Sequence, residues 1–504
     1  MDFEMVLAIL PLLLLLGGAL FSMAIARYGL ASGNKSRGGL AAFAFAATAF
    51  ATTACAALDV WDNGPMLFTL GGSTLQFDAL TALMSLTALG LLSAVSLYSV
   101  KYMEDDKGTD LYYPLLMLMV AGILGITMAT DLLVLFVFFE LMAIPSYALV
   151  AFRKDKWEAV EAGLKYIMMS AVGSVIALFG ISLIYMEAGT LSYSGLVGVL
   201  AGGAISKAAV LMLVLGFGFK AALVPLHTWL PDAHSAAPSG ISAMLSGIVI
   251  QGGLFALMKA LLVFAGTGVS YGGLLIVMAL ITMTVGNLMA YVQFAFQKAD
   301  LKRILAYSSV AQMGYIVLGI GLGLEYGVRS GFEGGLFHIM THAFMKGLAF
   351  LCAGAIIHEL GTRDVKCMRG IGHSMKITGF CLAIALLSLA GAPPLSGFMS
   401  EWLIFRGAMD TSPIIGSWSV AIIGIALFNT LLALGYYLPT IKNIYLGAKT
   451  KEVLKAKDPS PYMLAPIVAL AAITIALGIW PELGLRVVKP AVDLLSQLAG
   501  GVLT

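Results

Sequence analysis

The feature of this sequence that most constrains its fold is the succession of long apolar runs that fills it. Runs of about 20 residues, the length that crosses a bilayer as a helix, occur fourteen times. They cover residues 5–26, 39–58, 79–100, 113–130, 131–152, 162–186, 206–230, 239–265, 271–293, 304–324, 334–357, 378–405, 417–441 and 461–481. Only 11% of the 504 residues are charged, whereas soluble domains carry roughly 25%. The sequence therefore predicts an all-α polytopic membrane protein with 14 transmembrane helices rather than a barrel of short alternating strands.

The distribution of positive charge predicts the orientation of these spans, because cytoplasmic loops are enriched in Lys and Arg. If the N-terminus lies outside, the inner loops hold 20 of the 29 basic residues, while the outer loops and the tail hold 5. We therefore expect both termini outside and a multi-pass location in the inner (cytoplasmic) membrane of the cell. Apart from Asp131 and Lys207, which lie at the ends of their spans, six charged residues fall inside the proposed spans: Glu140, Lys165, Lys220, Lys259, Lys346 and Glu401.

Two of the spans are interrupted by proline at mid-depth, the seventh in KAALVPLHTWLP and the twelfth in LAGAPPLSGFMSEW. Proline breaks a helix, and irregular backbone persists in a membrane only where protein or water covers it. Two broken helices five spans apart are typical of an inverted repeat. We predict repeats over spans 4–8 (residues 113–265) and spans 9–13 (residues 266–445). Spans 1–3 (residues 1–112) precede them, and a linker, span 14 and a tail (residues 446–504) follow.

Glu140 and Lys220 are the strongest functional candidates. A charged side chain at the bilayer centre costs about 2.5–3.5 kcal/mol on insertion scales, so it indicates function unless an ion pair accounts for it. Lys220 lies at the break of span 7, where unpaired carbonyls and water can gather. We predict that changes in the separation of this pair load and release a proton. The alternative for Glu140 is a structural ion pair with a neighbouring helix.

A row of titratable residues on span 11 predicts a proton relay. His338, His342 and Lys346 recur every four residues and so share one helical face. Imidazole titrates near neutrality and passes a proton through either nitrogen, although a histidine on a membrane helix often only bonds a neighbouring helix. Glu401 follows the break of span 12, and the alternative to a functional role is an ion pair with Arg406.

The remaining candidates are less specific. Lys259 either takes part in ion translocation or reaches outward to the membrane surface, and Lys165 is either an interfacial anchor or the inner end of a pathway. The connection from span 7 to span 8 is either a cytoplasmic opening for ions or a cap on the helix that starts near Ser239, and we slightly favour the cap. Its polar residues are His227, Asp232 and His234.

The sequence contains no motif for redox chemistry. It has no nucleotide-binding loop and no flavin motif, and its four cysteines form no CxxC pair and have no histidine at zinc spacing. We therefore expect neither a metal nor a cofactor in this chain, and we place any electron chemistry in partner subunits. No basic patch with interleaved aromatic residues points to nucleic acid.

Five separated segments resemble, in order, the antiporter-like subunits of respiratory complex I, a family shared with membrane-bound hydrogenases and Mrp-type antiporters. They are FFELMAIPSYAL, FGFKAALVPLHTWLPDAHSAAPSGISAMLSG, DLKRILAYSSVAQMGY, HIMTHAFMKGLAFLCAG and APPLSGFMSEW. The resemblance implies 14 helices, with helices 7 and 12 broken and both termini outside. It implies that Glu140 and Lys220 form the inner half-channel pair, that His338 and His342 carry charge with water along the central axis, and that Glu401 is the exit residue.

The same resemblance raises two further expectations. Many members have a lysine in the middle of span 8 where this chain has Gln251, while Lys259 matches a later basic position. Because glutamine cannot hold a proton, the relay would depend on water and on the histidines of span 11. Asp300, Lys302 and Arg303 match a family motif at the inner surface, for which we expect a structural role.

The expected function is ion translocation in a redox-driven membrane complex of the complex I or hydrogenase type, by proton pumping or by exchange of Na⁺ for H⁺. The expected partners are other antiporter-like subunits, a peripheral redox arm and the lipid bilayer. Three alternatives stay open: an Mrp-type antiporter subunit, a stand-alone transporter of an organic solute, and a scaffold subunit whose charges are unused.

Overall fold

A computed structural model describes residues 3–70, 72–196 and 198–500 of the chain. The first half contains α1 (Phe3–Ala31), α2 (Ser36–Asn63), α3 (Ala79–Tyr102), α4 (Thr109–Met128), α5 (Leu132–Val150), α6 (Trp157–Ala188), α7 (Tyr193–Leu196), α8 (Ala204–Lys220), α9 (Trp229–Ala236), α10 (Ser239–Met244) and α11 (Ile250–Leu262). A π-helical turn, Leu245–Val249, joins α10 to α11. These two helices therefore form one span, Ser239–Leu262.

The second half contains α12 (Tyr271–Ala295), α13 (Leu301–Tyr326), α14 (Arg329–Leu360), α15 (Lys376–Leu389), α16 (Ser396–Asp410), α17 (Ser412–Ile415), α18 (Trp418–Tyr445), α19 (Lys451–Lys455), α20 (Pro461–Ile479) and α21 (Glu482–Ala499). Two 3₁₀ turns, Val365–Met368 and Ile371–His373, lie between α14 and α15. The prediction of a helical, polytopic chain is confirmed.

Among the described residues, 12 helices are long and apolar enough to cross a membrane, or up to 13 if the bent pair Val365–His373 and Lys376–Leu389 forms one span. Spans 7 and 12 of the sequence analysis are the two that appear as shorter pieces, α8 with α9 and α15 with α16. Proline interrupts both, as predicted, and the total of 14 spans stays a prediction.

Two elements are not predicted by the sequence. Strands β1 (Met66–Leu70) and β2 (Ser73–Phe77) pair antiparallel, with Met66 opposite Phe77. The helix α21 lies in the region predicted as the tail, and its buried residues, Leu485, Val488, Val492 and Leu495 among them, recur at helical spacing. This face packs against α14 and α3. Both elements are too short or too polar to resemble a span, so apolar runs do not reveal them.

The two broken helices end in the same way, and each residue of the first break corresponds to the residue 169 positions later at the second. Two residues after each helix ends, the backbone has a positive φ, which is 54° at Ala222 and 68° at Gly391. At each break an amide then donates to the carbonyl five residues earlier: Leu223 to Gly218 (3.1 Å) and Ala392 to Leu387 (3.0 Å). This turn closes the helix end and directs the chain away from the helix axis.

The bundle is organised around α13 and α14, whose side chains are almost all buried. Helices α3, α10, α15, α16, α20 and α21 all contact α14. By contrast, α6 and α18 present apolar side chains outward, such as Val175 and Leu431. The row of titratable residues predicted on span 11 therefore lies at the centre of the bundle, shielded from the surrounding lipid.

Candidate functional site

Lys220 is the last residue of α8, and its side chain is 1% exposed. Its ammonium donates a hydrogen bond to Oγ of Ser146 (3.1 Å) and lies over the rings of Tyr147 (4.6 Å to the centroid) and Tyr166 (4.4 Å). Aromatic faces attract cations, and most strongly where water is excluded. In the part of the chain that the structure describes, no carboxylate oxygen lies within 4 Å of this ammonium.

The backbone of α11 packs directly against this lysine. At Gly253 an added Cβ would lie 2.8 Å from Cβ of Lys220 and 2.8 Å from the backbone nitrogen of Ala221. Only glycine leaves room for so close an approach. The position of Lys220 is therefore determined by three elements at once: the ring-bearing helices α5 and α6, and α11.

Glu140 is partly exposed on α5 and accepts a hydrogen bond from Oγ of Ser174 (2.5 Å). It precedes Ser146 by six residues, about 9 Å along the helix. Among the described residues it forms no ion pair within 4 Å, either with Lys220 or with another helix. The structure therefore brings Glu140 and Lys220 to neighbouring levels of α5 but not into contact.

Hydroxyl groups occupy the interval between Glu140 and Lys220. On α6, Ser170 accepts a hydrogen bond from the Tyr147 hydroxyl (2.8 Å), one turn away from Ser174. The Tyr166 hydroxyl bonds Ser146 (3.0 Å), and the Tyr166 ring stacks on Trp229 (4.0 Å between centroids). These groups can donate and accept hydrogen bonds without carrying a charge. They connect the surroundings of the carboxylate to those of the ammonium.

In the bundle centre, Gln251 stands beside His342. The amide nitrogen of Gln251 donates to the backbone oxygen of Ile339 (2.9 Å) and to Nδ1 of His342 (2.9 Å). The proton of the neutral ring is then on Nε2. Within the described residues, neither this Nε2 nor Oε1 of Gln251 has a partner, although both residues are fully buried. A free donor and a free acceptor at one buried site are the arrangement that an ordered water satisfies.

His338 lies one turn from His342, with 6.1 Å between ring centroids. Its Nε2 donates to Oε1 of Gln312 (2.6 Å), and its Nδ1 bonds Oγ of Ser400 (2.8 Å). Ser400 is on α16, beyond the second break. The buried imidazole therefore links α13, α14 and α16 through both ring nitrogens.

Glu401 neighbours Ser400 in sequence and is 3% exposed. Its Oε2 accepts a hydrogen bond from Oγ1 of Thr430 (3.1 Å), which in turn bonds the hydroxyl of Tyr315 (2.9 Å). The alternative partner Arg406 instead lies 3.9 Å from Asp410. The ion pair of Glu401 with Arg406, the alternative to a functional role, is thus absent from the described residues. The carboxyl group has hydroxyl partners instead.

Lys346 is fully buried on α14, one turn beyond His342. Its ammonium donates to the backbone oxygen of Leu305 (3.0 Å) and to Oγ of Ser308. As with Lys220, no carboxylate within the described ranges lies within 4 Å of it. The three residues predicted to share one face of span 11 do share it.

Lys259 and Lys165 have specific partners. The Lys259 ammonium donates to the backbone oxygens of Thr127 (2.6 Å) and Ala129 (2.7 Å). It thereby satisfies carbonyls at the end of α4 that the helix itself leaves free. Lys165 is 48% exposed and pairs with Glu161 (2.8 Å) and Asp232 (3.1 Å). Lys259 thus stabilises a helix end, and Lys165 takes part in a surface ion-pair network.

The polar residues between spans 7 and 8 do not cap the following helix. The residue before α10 is Pro238, whose side chain makes no cap bond, and the first amide of the helix, that of Ser239, donates to the hydroxyl of Tyr102 (3.4 Å). Asp232 pairs with Lys165 and with Arg303. His234 is fully buried and stacked on Phe350 (4.8 Å), and the described residues offer no partner for either of its ring nitrogens. His227 is 8% exposed, with Nδ1 unpartnered. We slightly favoured a cap on this helix by His227, Asp232 and His234, and for the side chains of these residues that prediction is wrong.

The surface formed by residues 151–165, 229–239, 298–303 and 361–366 is called the basic face below. It contains two adjacent cavities of about 250 and 300 Å³. Lys302, Tyr102, Arg153 and Ser239 line the first, and Lys165 and Asp232 line the second. Burial by itself lowers the pKa of the Arg153 guanidinium, but its two hydrogen bonds to Asp106, both 2.8 Å, raise the pKa above its ordinary value overall.

The uncharged partners of Lys220, His338 and Glu401 are not among the residues predicted from the sequence. Ser146, Tyr147 and Tyr166 surround Lys220, and Gln312, Tyr315 and Thr430 surround His338 and Glu401. The prediction rested on ionisable residues inside apolar runs. Gln312 would have been found by the same rule extended to amides, whereas single serines and tyrosines occur in too many membrane helices to be specific.

Comparison with known proteins gives a consistent result over most of the chain. Residues 129–427 match a family model described as "NADH:quinone oxidoreductase/Mrp antiporter, TM", and residues 72–113 match "NADH-Ubiquinone oxidoreductase (complex I), chain 5 N-terminus". An F(420)H(2) dehydrogenase subunit of Methanosarcina mazei is 32% identical over 428 residues, covering 82% of this chain and 84% of that protein. A Na(+)/H(+) antiporter subunit of Alkalihalophilus pseudofirmus is 32% identical over 439 residues, covering 84% and 85%.

A solved structure is similar over the full length. A chain of the membrane-bound sulfane sulfur reductase, an archaeal respiratory membrane complex, superposes with a TM-score of 0.86 at 28% identity and covers 99% of each chain. The similarity therefore includes both broken helices and the helices that surround them.

Proposed function

The chain belongs to the NADH:quinone oxidoreductase/Mrp antiporter family of membrane subunits, and from this membership we propose that it translocates protons, or exchanges Na⁺ for H⁺, within a redox-driven membrane complex. The family resemblance of the five sequence segments is thereby confirmed. What the chain moves, and through which residues, is our proposal.

The observation that carries the proposal is a set of charged side chains buried without ion pairs. Lys220, Lys346 and Glu401 are all at most 3% exposed, and within the described residues none has an oppositely charged group within 4 Å. A structural role would favour paired charges, because an unpaired buried charge is strongly destabilising. Ionisable residues kept in a membrane at this cost are typical of proton pathways.

We assign proton loading to Lys220 and its modulation to Glu140. A carboxylate stabilises a nearby ammonium, so Glu140 retains the proton on Lys220 when the two approach and releases it when they separate. The hydroxyl of Ser146, itself bonded to the hydroxyl of Tyr166, holds the ammonium in place meanwhile. Movement at the break of span 7 is the natural means of changing this distance.

The released proton passes to the row formed by Lys346, His342 and His338 and leaves through Glu401. The hydrogen bonds from His338 to Gln312 and from Thr430 to Glu401 connect the later part of this route. No hydrogen bond among the described residues joins Lys220 to Gln251, so we assign that step to water. The free Nε2 of His342 and Oε1 of Gln251 would bind it.

We further propose the topology that such a route requires. The chain crosses the membrane 14 times, with both termini outside and the basic face in the cytoplasm. The matching backbone hydrogen bonds at the two breaks support two inverted repeats over residues 113–265 and 266–445. Electron chemistry belongs to a peripheral redox arm, and other antiporter-like subunits contact this chain in the membrane.

The test is formation of a pH gradient by membrane vesicles that contain the assembled complex. We expect Lys220→Ala to reduce the gradient at least about ten-fold, since a proton-transfer group typically contributes 10²–10⁴-fold. The control is Lys154→Met, which removes an exposed lysine of the basic face. Repeating the measurement without Na⁺ separates proton pumping from Na⁺/H⁺ exchange.

Two outcomes would contradict the proposal. Unchanged pumping by Lys220→Ala would remove the role assigned to that residue. If Glu140→Gln also pumped normally, the chain would be a scaffold whose charges are unused. Binding of an organic solute by the isolated chain, together with normal pumping by both variants, would favour a secondary transporter.

A further inference from the structure

We propose that this chain has a second proton uptake route at the basic face, which passes from the cavity there through Lys302 and His234 to Lys346. The route, called the central uptake route below, does not involve Lys220. It rests on the proposed function, because it delivers protons to the same row of residues on α14. It also changes the role expected for Lys302 from structural to functional.

Lys302 lies where the first cavity ends inside the bundle. It is 3% exposed, yet it contributes to the lining of the cavity of about 250 Å³. Its ammonium donates to the backbone oxygen of Ala237 (2.5 Å). The neighbouring Asp300 instead pairs with Arg363 (3.2 Å). Lys302 is therefore a third buried lysine that has no carboxylate within 4 Å among the described residues, and it borders a cavity.

His234 is the second member of the route. Its ring is fully buried and both ring nitrogens are unpartnered within the described residues. Burying an imidazole without a hydrogen bond is destabilising, so packing on Phe350 alone does not account for it. Lys302 bonds the carbonyl of Ala237, three residues along the chain from His234, and Lys346 lies one turn along α14 from Phe350, on which the His234 ring stacks. The imidazole therefore has both ring nitrogens free among the described residues, and it lies between Lys302 and Lys346.

The order of these groups follows from the packing of α13 against α14. The two helices are antiparallel, and Lys346 on α14 bonds Ser308 on α13. One turn further along α14, Phe350 is level with Ile304, which lies between Lys302 and Ser308. The imidazole stacked on Phe350 therefore lies at a level between the two lysines. Along the axis of α13, Lys302 and Ser308 are six residues apart, a rise of about 9 Å.

Transfer along the route conserves protons at every step. The Lys302 ammonium gives a proton to one ring nitrogen of neutral His234 and regains one from water in the cavity. After the Lys346 ammonium has passed its own proton on to His342, His234 releases the proton of its other nitrogen to Lys346, which becomes an ammonium again. Imidazole suits this exchange because each nitrogen can donate or accept. The next residues on the same face are His342 and His338.

The decisive variant is Lys302→Arg, tested in vesicles that contain the assembled complex. Arginine preserves the positive charge and can still donate to the carbonyl of Ala237, but it does not release its proton in proteins. If Lys302 only holds Ala237, this variant pumps normally. If Lys302 transfers protons, the variant assembles at the normal level but forms a pH gradient at least about ten-fold smaller.

His234 provides an independent test. His234→Phe keeps an aromatic ring against Phe350 and removes both nitrogens, and we expect it to assemble and to lose pumping to the same extent. Lys154→Met again serves as the control. The amount of the chain in assembled complexes, measured by immunoblot after native electrophoresis, shows whether each variant folds. If a variant fails to assemble, Lys302→Gln and His234→Gln replace it.

The outcomes separate this inference from the proposed function. Loss of pumping by Lys220→Ala with normal pumping by Lys302→Arg and His234→Phe would overturn the central uptake route and leave the proposed function intact. Loss of pumping in all three variants supports both the proposed function and the central uptake route. Normal pumping by Lys220→Ala together with loss in Lys302→Arg and His234→Phe would assign proton uptake to the central route alone.

Discussion

Lys220 and Glu401 belong to the two broken helices, and their environments differ although the backbone of the two breaks is the same. Lys220 precedes its break and lies over the rings of Tyr147 and Tyr166. Glu401 follows its break and accepts a hydrogen bond from Thr430. A ring face is electronegative and attracts a cation, whereas it repels an anion. Equivalent backbone can therefore hold opposite charges, because neighbouring helices supply the matching partners.

The breaks also differ in what surrounds the positive φ. At the first break Ala222 has a φ of 54°, in a region that L-residues other than Asn, Asp and His rarely adopt. At the second break Gly391 has a φ of 68°, and an added Cβ would lie 2.8 Å from Oε2 of Glu401. Glycine at the second break thus leaves room for the carboxylate. At the first break the functional group lies on the other side of the turn, so alanine is accommodated.

The largest expected effect in this comparison comes from Glu401→Gln. Glutamine preserves the shape of the side chain and a hydrogen-bond partner for Thr430, but it cannot take up a proton. We expect the pH gradient to fall at least about ten-fold, as for Lys220→Ala, with assembly unchanged. The measurement is acidification of vesicles that contain the complex.

A Glu401→Gln variant that pumps normally would show that only one of the two breaks contributes to transport. Glu401→Asp is the matched control because it keeps the titratable group while shortening the side chain. We expect it to retain more activity than the glutamine variant.

A smaller effect is expected from the aromatic site of Lys220. Tyr166→Leu removes a ring from the ammonium, and a desolvated cation–π contact is worth about 2 kcal/mol. This corresponds to a change of up to roughly 30-fold in the equilibrium that the contact stabilises. We expect pumping to fall several-fold and Tyr166→Phe, which keeps the ring, to lose less.

Equal losses in Tyr166→Leu and Tyr166→Phe would mean that the hydroxyl bond to Ser146, not the ring, is what matters. The two variants should be compared across a series of external pH values. Loss of the ring destabilises the ammonium and so should shift the pumping profile along the pH axis, whereas a purely structural defect should only lower its height.

The smallest effect is expected at Lys165. Lys165→Met breaks ion pairs with Glu161 and Asp232, but these groups are substantially exposed, and such pairs contribute little. Pumping should change less than about two-fold. A loss comparable to that of Lys220→Ala would place Lys165 on the proton pathway. It would then be the inner end of that pathway, the second of its two expected roles, and not an interfacial anchor.

Much of the fold and part of the site could be predicted from residue types alone. Charged residues inside apolar runs identified Glu140, Lys220, Lys346 and Glu401, because lipid cannot solvate them. The prolines located both broken helices. The sequence did not predict that Lys259 bonds the end of α4, or that Tyr102, rather than the polar residues after span 7, accepts a hydrogen bond from the first amide of α10. Those outcomes depend on which helix lies opposite, and spacing within one helix contains no such information.

Lys302 and His234 illustrate the same limit. By sequence one belongs to a surface motif and the other to a loop beside a helix start. In the structure both are buried, one at the end of a cavity and the other with two free nitrogens among the described residues. Burial is a property of the whole assembly of helices, so a candidate site that depends on it becomes visible only after packing.

The sequence by itself determined that the chain is a helical membrane protein, which of its charges are costly and where two helices break. These follow from the length of apolar runs, the insolubility of charge in hydrocarbon and the missing amide of proline. Tertiary structure alone decided that Lys220 faces aromatic rings, that Glu401 has hydroxyl partners and that Lys302 borders a cavity. Each of these requires atoms from several helices within a few ångströms, and only packing brings them together.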